Sequence, residues 1–135
     1  MGDPKFAAAE REFLAAHEAY RGRRFEDCIV SCGKAFESVL KVIGKHRGWP
    51  IKKTDPASKL IQAGVDAGFL AQYFQTSLNS LKALMESSTP TIRNKVGGHG
   101  AGVTSREVPV HLAAFQLHQT AAVILFLAEQ DAAGP

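Results

Sequence analysis

The stretch from Phe25 to Ile43 constrains this chain most. Phe25, Cys28, Ile29, Cys32, Phe36, Val39, Leu40 and Ile43 recur every three or four residues, the period of one face of an α-helix. No segment shows the sustained apolar–polar alternation of a half-buried strand. A stripe this long must be covered, and the rest of the sequence supplies further helices to cover it. The expected architecture is all-α, a bundle of four to five helices with short connections. The 135 residues suit one domain, 1–135, with one core.

The other helices follow from the same periodicity. A first helix is predicted from Lys5 to Arg21, with Phe6, Phe13, Leu14, His17 and Tyr20 near helical spacing and Gly22 ending it. The striped helix is predicted from Phe25 to Lys45, with Glu37 and Lys41 as an i,i+4 pair on its flank. Gly44 to Lys53 reads as a connection carrying the only tryptophan, Trp49. Asp55 then reads as an N-cap before a first-turn Pro56, opening a third helix with Leu60, Ile61, Val65 and Leu70 inward. A fourth helix is predicted from Gln72 to Ser87, facing inward through Phe74, Leu78, Leu81, Leu84 and Met85. The last is predicted from Glu107 to Gln130, with Pro109 in its first turn. Its stretch A-A-V-I-L-F-L-A is apolar all round, which suits the centre of a bundle or a subunit interface.

Composition narrows the class. Cys28 and Cys32 are the only cysteines. One helical turn apart, they are too far separated for a disulfide, so they read as reduced, buried side chains in a cytoplasmic protein. The longest apolar run, Ala121 to Ala128, is far shorter than the roughly 20 residues of a membrane span, and no signal-peptide pattern opens the chain. The expectation is a soluble protein with no membrane partner. A net charge of +3 permits an anionic partner such as RNA. No metal-ligand spacing or cofactor motif is present, so no cofactor is expected.

One stretch breaks the helical pattern, P-T-I-R-N-K-V-G-G-H-G, residues 90–100. Glycine is costly in a helix but lets backbone approach a polyanion and offer it N–H groups. Arg93 is a fixed cation whose planar fork suits phosphate. His99 is the side chain able to move a proton near neutral pH. Such a pair can cleave a phosphodiester without a metal, one group transferring the proton and the other stabilising charge on the phosphoryl oxygens. A glycine-rich turn joining two helices, with Arg93 capping the first and His99 bonding a loop carbonyl, is the plainer alternative.

The run R-N-K-V-G-G-H-G, Arg93 to Gly100, resembles the Arg-polar-…-His motif of the HEPN superfamily. It is most similar to the abortive-infection C-terminal (Abi-C type) domain, whose typical run R-N-K-x-G-x-G-H-G is one residue longer. C-G-K-A-F-E-S-V-L-K (Cys32 to Lys41), A-S-K-L-I-Q (Ala57 to Gln62), L-x-x-L-K-A-L-M-E-S (Leu78 to Ser87) and H-Q-T-A-A-V-I-L-F-L-A-E (His118 to Glu129) resemble the same domain. The similarity runs from about residue 20 to 130.

The resemblance implies a HEPN-like bundle of four to five helices that dimerises. It also implies a metal-independent endoribonuclease of a phage-defence or toxin–antitoxin system, with two copies of the motif meeting at the dimer interface. Carried over, Arg93 binds the scissile phosphate, His99 transfers a proton, and Asn94 orients His99 or the phosphate. Lys95, Gly97, Gly98 and Gly100 are weaker RNA contacts, and no residue is a metal ligand. The alternative is a catalytically silent RNA- or protein-binding or dimerisation module. An antitoxin or targeting partner supplied in trans suits either. Lys34 and Glu37, the basic groups Arg21, Arg23 and Arg24, and Lys45, His46 and Arg47 read first as solvated flanks and only second as RNA contacts. His17, His111 and His118 read as ordinary helix residues.

Overall fold

The computed structural model describes residues 2–88 and 108–134. Among these residues, a 3₁₀ turn, Pro4–Phe6, is followed by five α-helices: α1 Ala7–Arg21, α2 Phe25–Arg47, α3 Ala57–Asp66, α4 Gln72–Ser87 and α5 Val110–Ala132. No strand occurs among the described residues. The all-α bundle expected from periodicity is what forms.

The striped helix α2 is the centre, packed by α1, α5, α3 and α4. Its residues Ile29, Phe36, Val39, Leu40 and Ile43 are fully buried. Against α2, α1 buries Ala9, Ala16 and Ala19, and Phe13 and Tyr20 are only half-buried. Leu14 is 56% exposed and His17 is exposed, its ring edge-on to Phe13 at 5.0 Å. The inward face of α1 is thus an alanine stripe that lets two helices approach closely; the expected place of Leu14 on it is corrected, and His17 is a helix-surface residue as read.

Helix α2 runs to Arg47, two residues past its predicted end. Gly48 stops it at φ 75°, a left-handed conformation that glycine adopts without penalty. Trp49 N donates back to Gly44 O at 2.9 Å, closing a Schellman turn. Gly44 therefore belongs to the helix and not to the connection, and the Trp49 ring lies over it. Helix α3 ends the same way, with Gly68 at φ 77° and Phe69 N donating to Gly64 O at 2.9 Å. The residue beyond each turn packs on the other, Trp49 on Phe69 at 5.5 Å between rings. Leu70 is buried as expected, but beyond α3 and not within it.

Asp55 is not an N-cap. It accepts from Lys52 N at 2.8 Å and closes the preceding turn, and Pro56 stands at the cap of α3 without a side-chain bond. Pro109 likewise stands at the cap of α5 and not in its first turn. Helix α4 has its predicted bounds, and Leu78, Leu81 and Met85 are its buried residues.

Two core clusters divide the bundle. One joins Phe6, Val39, Ile43, Trp49, Phe69 and Leu127 at the end where α2 and α5 finish. The other joins Ala16, Cys28, Cys32, Met85, Val108 and Leu117 at the opposite end. By length and hydropathy alone α5 is the one described helix able to cross a bilayer, a reach the run Ala121 to Ala128 did not disclose. In the bundle it packs on α2 through Ile124 and Leu127 and buries two polar residues, Gln116 and Thr120.

Candidate functional site

Arg93, Asn94, Lys95, Gly97, Gly98, His99 and Gly100 lie outside the described residues, so only their flanks are described. Before the motif, α4 ends in two serines that turn back on their own helix. Ser87 Oγ donates to Ala83 O at 2.8 Å and Ser88 Oγ to Met85 O at 3.2 Å. After it, the chain re-enters at Val108, buried in the same cluster as Met85. Both ends of the motif-bearing segment are thus fixed on one apolar patch beside Cys28 and Cys32.

Helix α4 carries a polar edge toward that end. Lys82 Nζ lies 2.8 Å from Glu37 Oε2 on α2. It reaches there across Gly33, where a Cβ would stand 3.2 Å from the ammonium. The sequence reading paired Glu37 with Lys41 on its own helix. The structure pairs it with α4, because a bare glycine one turn earlier opens the path. Two shallow grooves share this ion pair as a common wall. One, of about 200 Å³, is lined by Val30, Gly33, Lys34 and Met85. The other, of about 350 Å³, is lined by Pro56, Ser58, Asn79 and Ala83. Glu86 borders both. Lys34 is exposed at the mouth of the first, so this edge carries two cations and two carboxylates.

The other basic groups are placed differently. Arg47 is structural: it donates to Asp131 Oδ1 at 2.8 Å, Asp131 O at 3.0 Å and Gly134 O at 2.7 Å, and lies 4.6 Å from the Phe69 ring centre. Lys5 meets the other oxygen of Asp131 at 2.5 Å. Burial pushes the Asp131 carboxyl up, but the hydrogen bonds and charges of Lys5 and Arg47 outweigh it and hold the group below the usual carboxylate range. The hydrogen bond to Asp131 raises Lys5 in turn. Lys45 and His46 are exposed. Arg21 pairs with Glu18 at 2.9 Å and Arg24 with Asp27 at 3.7 Å, and Arg23 lies over the Phe25 ring.

Cys28 and Cys32 are free and buried. The hydrogen bond with Cys32, with burial, pushes the Cys28 thiol up, so it stays protonated and unreactive. His111 and His118 are exposed, and no three metal-ligating side chains come together among the described residues. The sequence reading missed two polar residues. Lys82 was not singled out in the sequence, and only its partner across the bundle marks it. Gln116 is fully buried, and neither end of its amide has a partner among the described residues. Its trace in the sequence is a spacing of four from Thr120 within an otherwise apolar stretch.

An all-α bundle whose sequence carries an Arg-Asn-Lys-…-His run between α4 and α5 suits a helical domain of the HEPN kind. The family model of the Abi_C HEPN-like domain matches residues 7–131. The chain belongs to that family, over a span that includes α1 as well as the segments that resembled it. No curated protein and no solved structure matches the chain.

Proposed function

We propose that this protein is a metal-independent endoribonuclease of a phage-defence or toxin–antitoxin system, acting in the cytoplasm as a homodimer. The observation that carries the reading is the run Arg93-Asn94-Lys95-…-His99 in a member of the Abi_C HEPN-like family. In the reaction, His99 takes the proton from a ribose 2′-OH. The freed oxygen attacks the adjacent phosphorus, the bond to the 5′-oxygen breaks, and an imidazolium, from His99 of this or the second copy, gives that oxygen its proton. Arg93 stabilises the charge gathering on the phosphoryl oxygens, and Asn94 orients the imidazole or the phosphate. The backbone of Gly97, Gly98 and Gly100, with Lys95, contacts the strand. The need for a 2′-OH selects RNA over DNA. The second copy brings its own motif to the same strand, and an antitoxin or targeting partner controls access.

The test is cleavage of RNA in excess chelator by wild type, Arg93→Ala and His99→Ala, over concentrations spanning dimer formation. Cleavage by wild type alone, leaving 2′,3′-cyclic phosphate ends, is expected. Equal cleavage by His99→Ala overturns the assignment. A specific observation favours a second reading, a silent dimerisation or binding module: α5 keeps Phe115 and Leu125 about half exposed, at 47% and 54%. That reading predicts RNA or protein binding with no turnover in any variant.

A further inference from the structure

The ion pair of Lys82 and Glu37 forms one wall of the groove of about 200 Å³ between α2 and α4. Ile29, Gly33 and Met85, all buried, make the floor of that groove. The floor is therefore apolar and the wall beside it is polar. Lys82 Nζ lies 3.2 Å, and Met85 Sδ 3.8 Å, from where a Cβ on Gly33 would stand. Ammonium and thioether thus meet at the gap the glycine leaves. Such a groove suits a planar heterocycle, its face on the floor against the sulfur and its edge toward the ion pair. Pockets that enclose a whole ligand run to roughly 300–1,000 Å³. This smaller groove takes one ring system of something larger.

The wall says which ring system. The two side chains are 20% and 27% exposed, so both remain within reach from the groove. Lys82 Nζ sits 2.8 Å from Oε2 of Glu37, and a carboxylate accepts on both oxygens. Read across the pair, ammonium and then two oxygens, the wall offers one donor followed by two acceptors. Guanine carries the complement along a single edge, O6 as acceptor and then N1–H and N2–H as donors. None of the other three bases fills more than two of those positions. Bonds to charged partners in a bidentate arrangement are the strong and selective ones.

The setting points to a guanine held in an RNA strand. Lys34 is exposed at the mouth of the groove, where a backbone phosphate meets a cation. Glu37 and Glu86 border the interior, and their carboxylates disfavour a phosphate there, which leaves the interior to the base. Glu86 stands seven positions before Arg93 in the sequence.

We infer that this groove is a guanine subsite, with the Lys82–Glu37 pair reading the base edge and Gly33 and Met85 receiving the ring. These residues set specificity and are not catalytic. The inference takes its ligand class from the ribonuclease reading above but does not depend on turnover.

The test is binding of 2′-O-methyl RNA octamers, which lack the nucleophile, to the full chain. One octamer is all adenosine, one has a single central guanosine and one has inosine there, with GMP beside them. Guanosine should tighten binding roughly 5- to 150-fold over adenosine, the discrimination of one good bidentate pair. Inosine keeps O6 and N1–H but lacks the N2 amino group, and should fall between. Glu37→Gln should bring guanosine down to the adenosine level. So should Gly33→Ala, whose methyl fills the gap in the floor and, meeting only side-chain ends, leaves the fold intact. Circular dichroism checks that both variants fold. Equal binding of guanosine and adenosine overturns the inference, and so does a guanosine preference that survives either substitution. GMP binding as tightly as the octamer overturns the strand assignment and makes the ligand a free nucleotide. Cut sites mapped on unmodified RNA separate the two readings. Cutting with no guanosine at a fixed distance from the cut overturns the subsite alone. Guanosine-selective binding without cutting overturns the nuclease and leaves the subsite standing.

Discussion

The ammonium of Lys82 crosses above Gly33 to reach Glu37, 2.8 Å away, and so ties α4 to α2 on the edge leading to the motif. A glycine in mid-helix is here the gap through which a long-range ion pair forms.

Two glycines of α2 should respond oppositely to alanine. At Gly33 the new Cβ meets the end of the flexible Lys82 side chain at 3.2 Å and Met85 Sδ at an ordinary contact distance of 3.8 Å. Gly33→Ala should raise stability by a few tenths to about 1 kcal/mol through helix propensity. At Gly44 the Cβ would lie 2.7 Å from Trp49 Cε3 and 2.6 Å from Ile51 Cδ1, with the ring pinned by Phe69. Gly44→Ala should cost about 1–3 kcal/mol as overpacking does. Urea denaturation of both variants checks the signs.

Removing the carboxylate that retains Lys82 should alter RNA binding, if RNA is the ligand. Glu37→Gln removes the carboxylate paired with Lys82 and leaves Glu86 as the one acidic group on that edge. Filter binding across salt concentrations should show the log–log slope steepen by about 0.7, one further phosphate on a single strand. An unchanged slope would place RNA elsewhere.

Asp131 joins Lys5 and Arg47, and its side chain is only 7% exposed. Asp131→Asn should cost about 1.5–3 kcal/mol at neutral pH, the range for hydrogen bonds to charged groups. Its folded pKa is depressed, so its contribution is complete above the usual carboxylate pKa and is lost as pH falls through the folded value. Lys5 is raised, so its contribution is complete below the usual lysine pKa and fades as pH climbs through the folded value. Melting curves against pH should therefore show wild type and Asp131→Asn converging in acid.

Gln116 loses its hydration on folding and gains no partner among the described residues. Gln116→Leu keeps the volume and removes the orphan amide. It should stabilise the fold by about 1–2 kcal/mol, measured by thermal or chemical melting. A loss of stability would show that the amide is satisfied in solution.

Much of this fold could be read from periodicity. The stripe of α2 and the bounds of α4 were legible because large apolar residues repeat at helical spacing. The inward face of α1 was not, because alanine carries little apolar weight in a pattern although it permits the closest approach. Asp55 looked like a cap by its place before Pro56, and only the turn to Lys52 shows its partner. The Glu37–Lys82 pair joins residues far apart in sequence, which no local spacing reveals. The motif itself was the most legible feature of the site, and it lies outside the described residues. What the structure adds is the Met85–Val108 patch, which joins the two described flanks.

The clasp at Asp131 has a mechanical consequence. It gathers residues near both ends of the chain, Lys5 and Gly134, onto the end of α2, at the pole of the bundle away from Met85 and Val108. Tension applied between those ends therefore peels the polar contacts one after another instead of shearing packed helices along their length. Under load the molecule should open first at this pole, at low force, while the Met85–Val108 patch at the other pole stays shut.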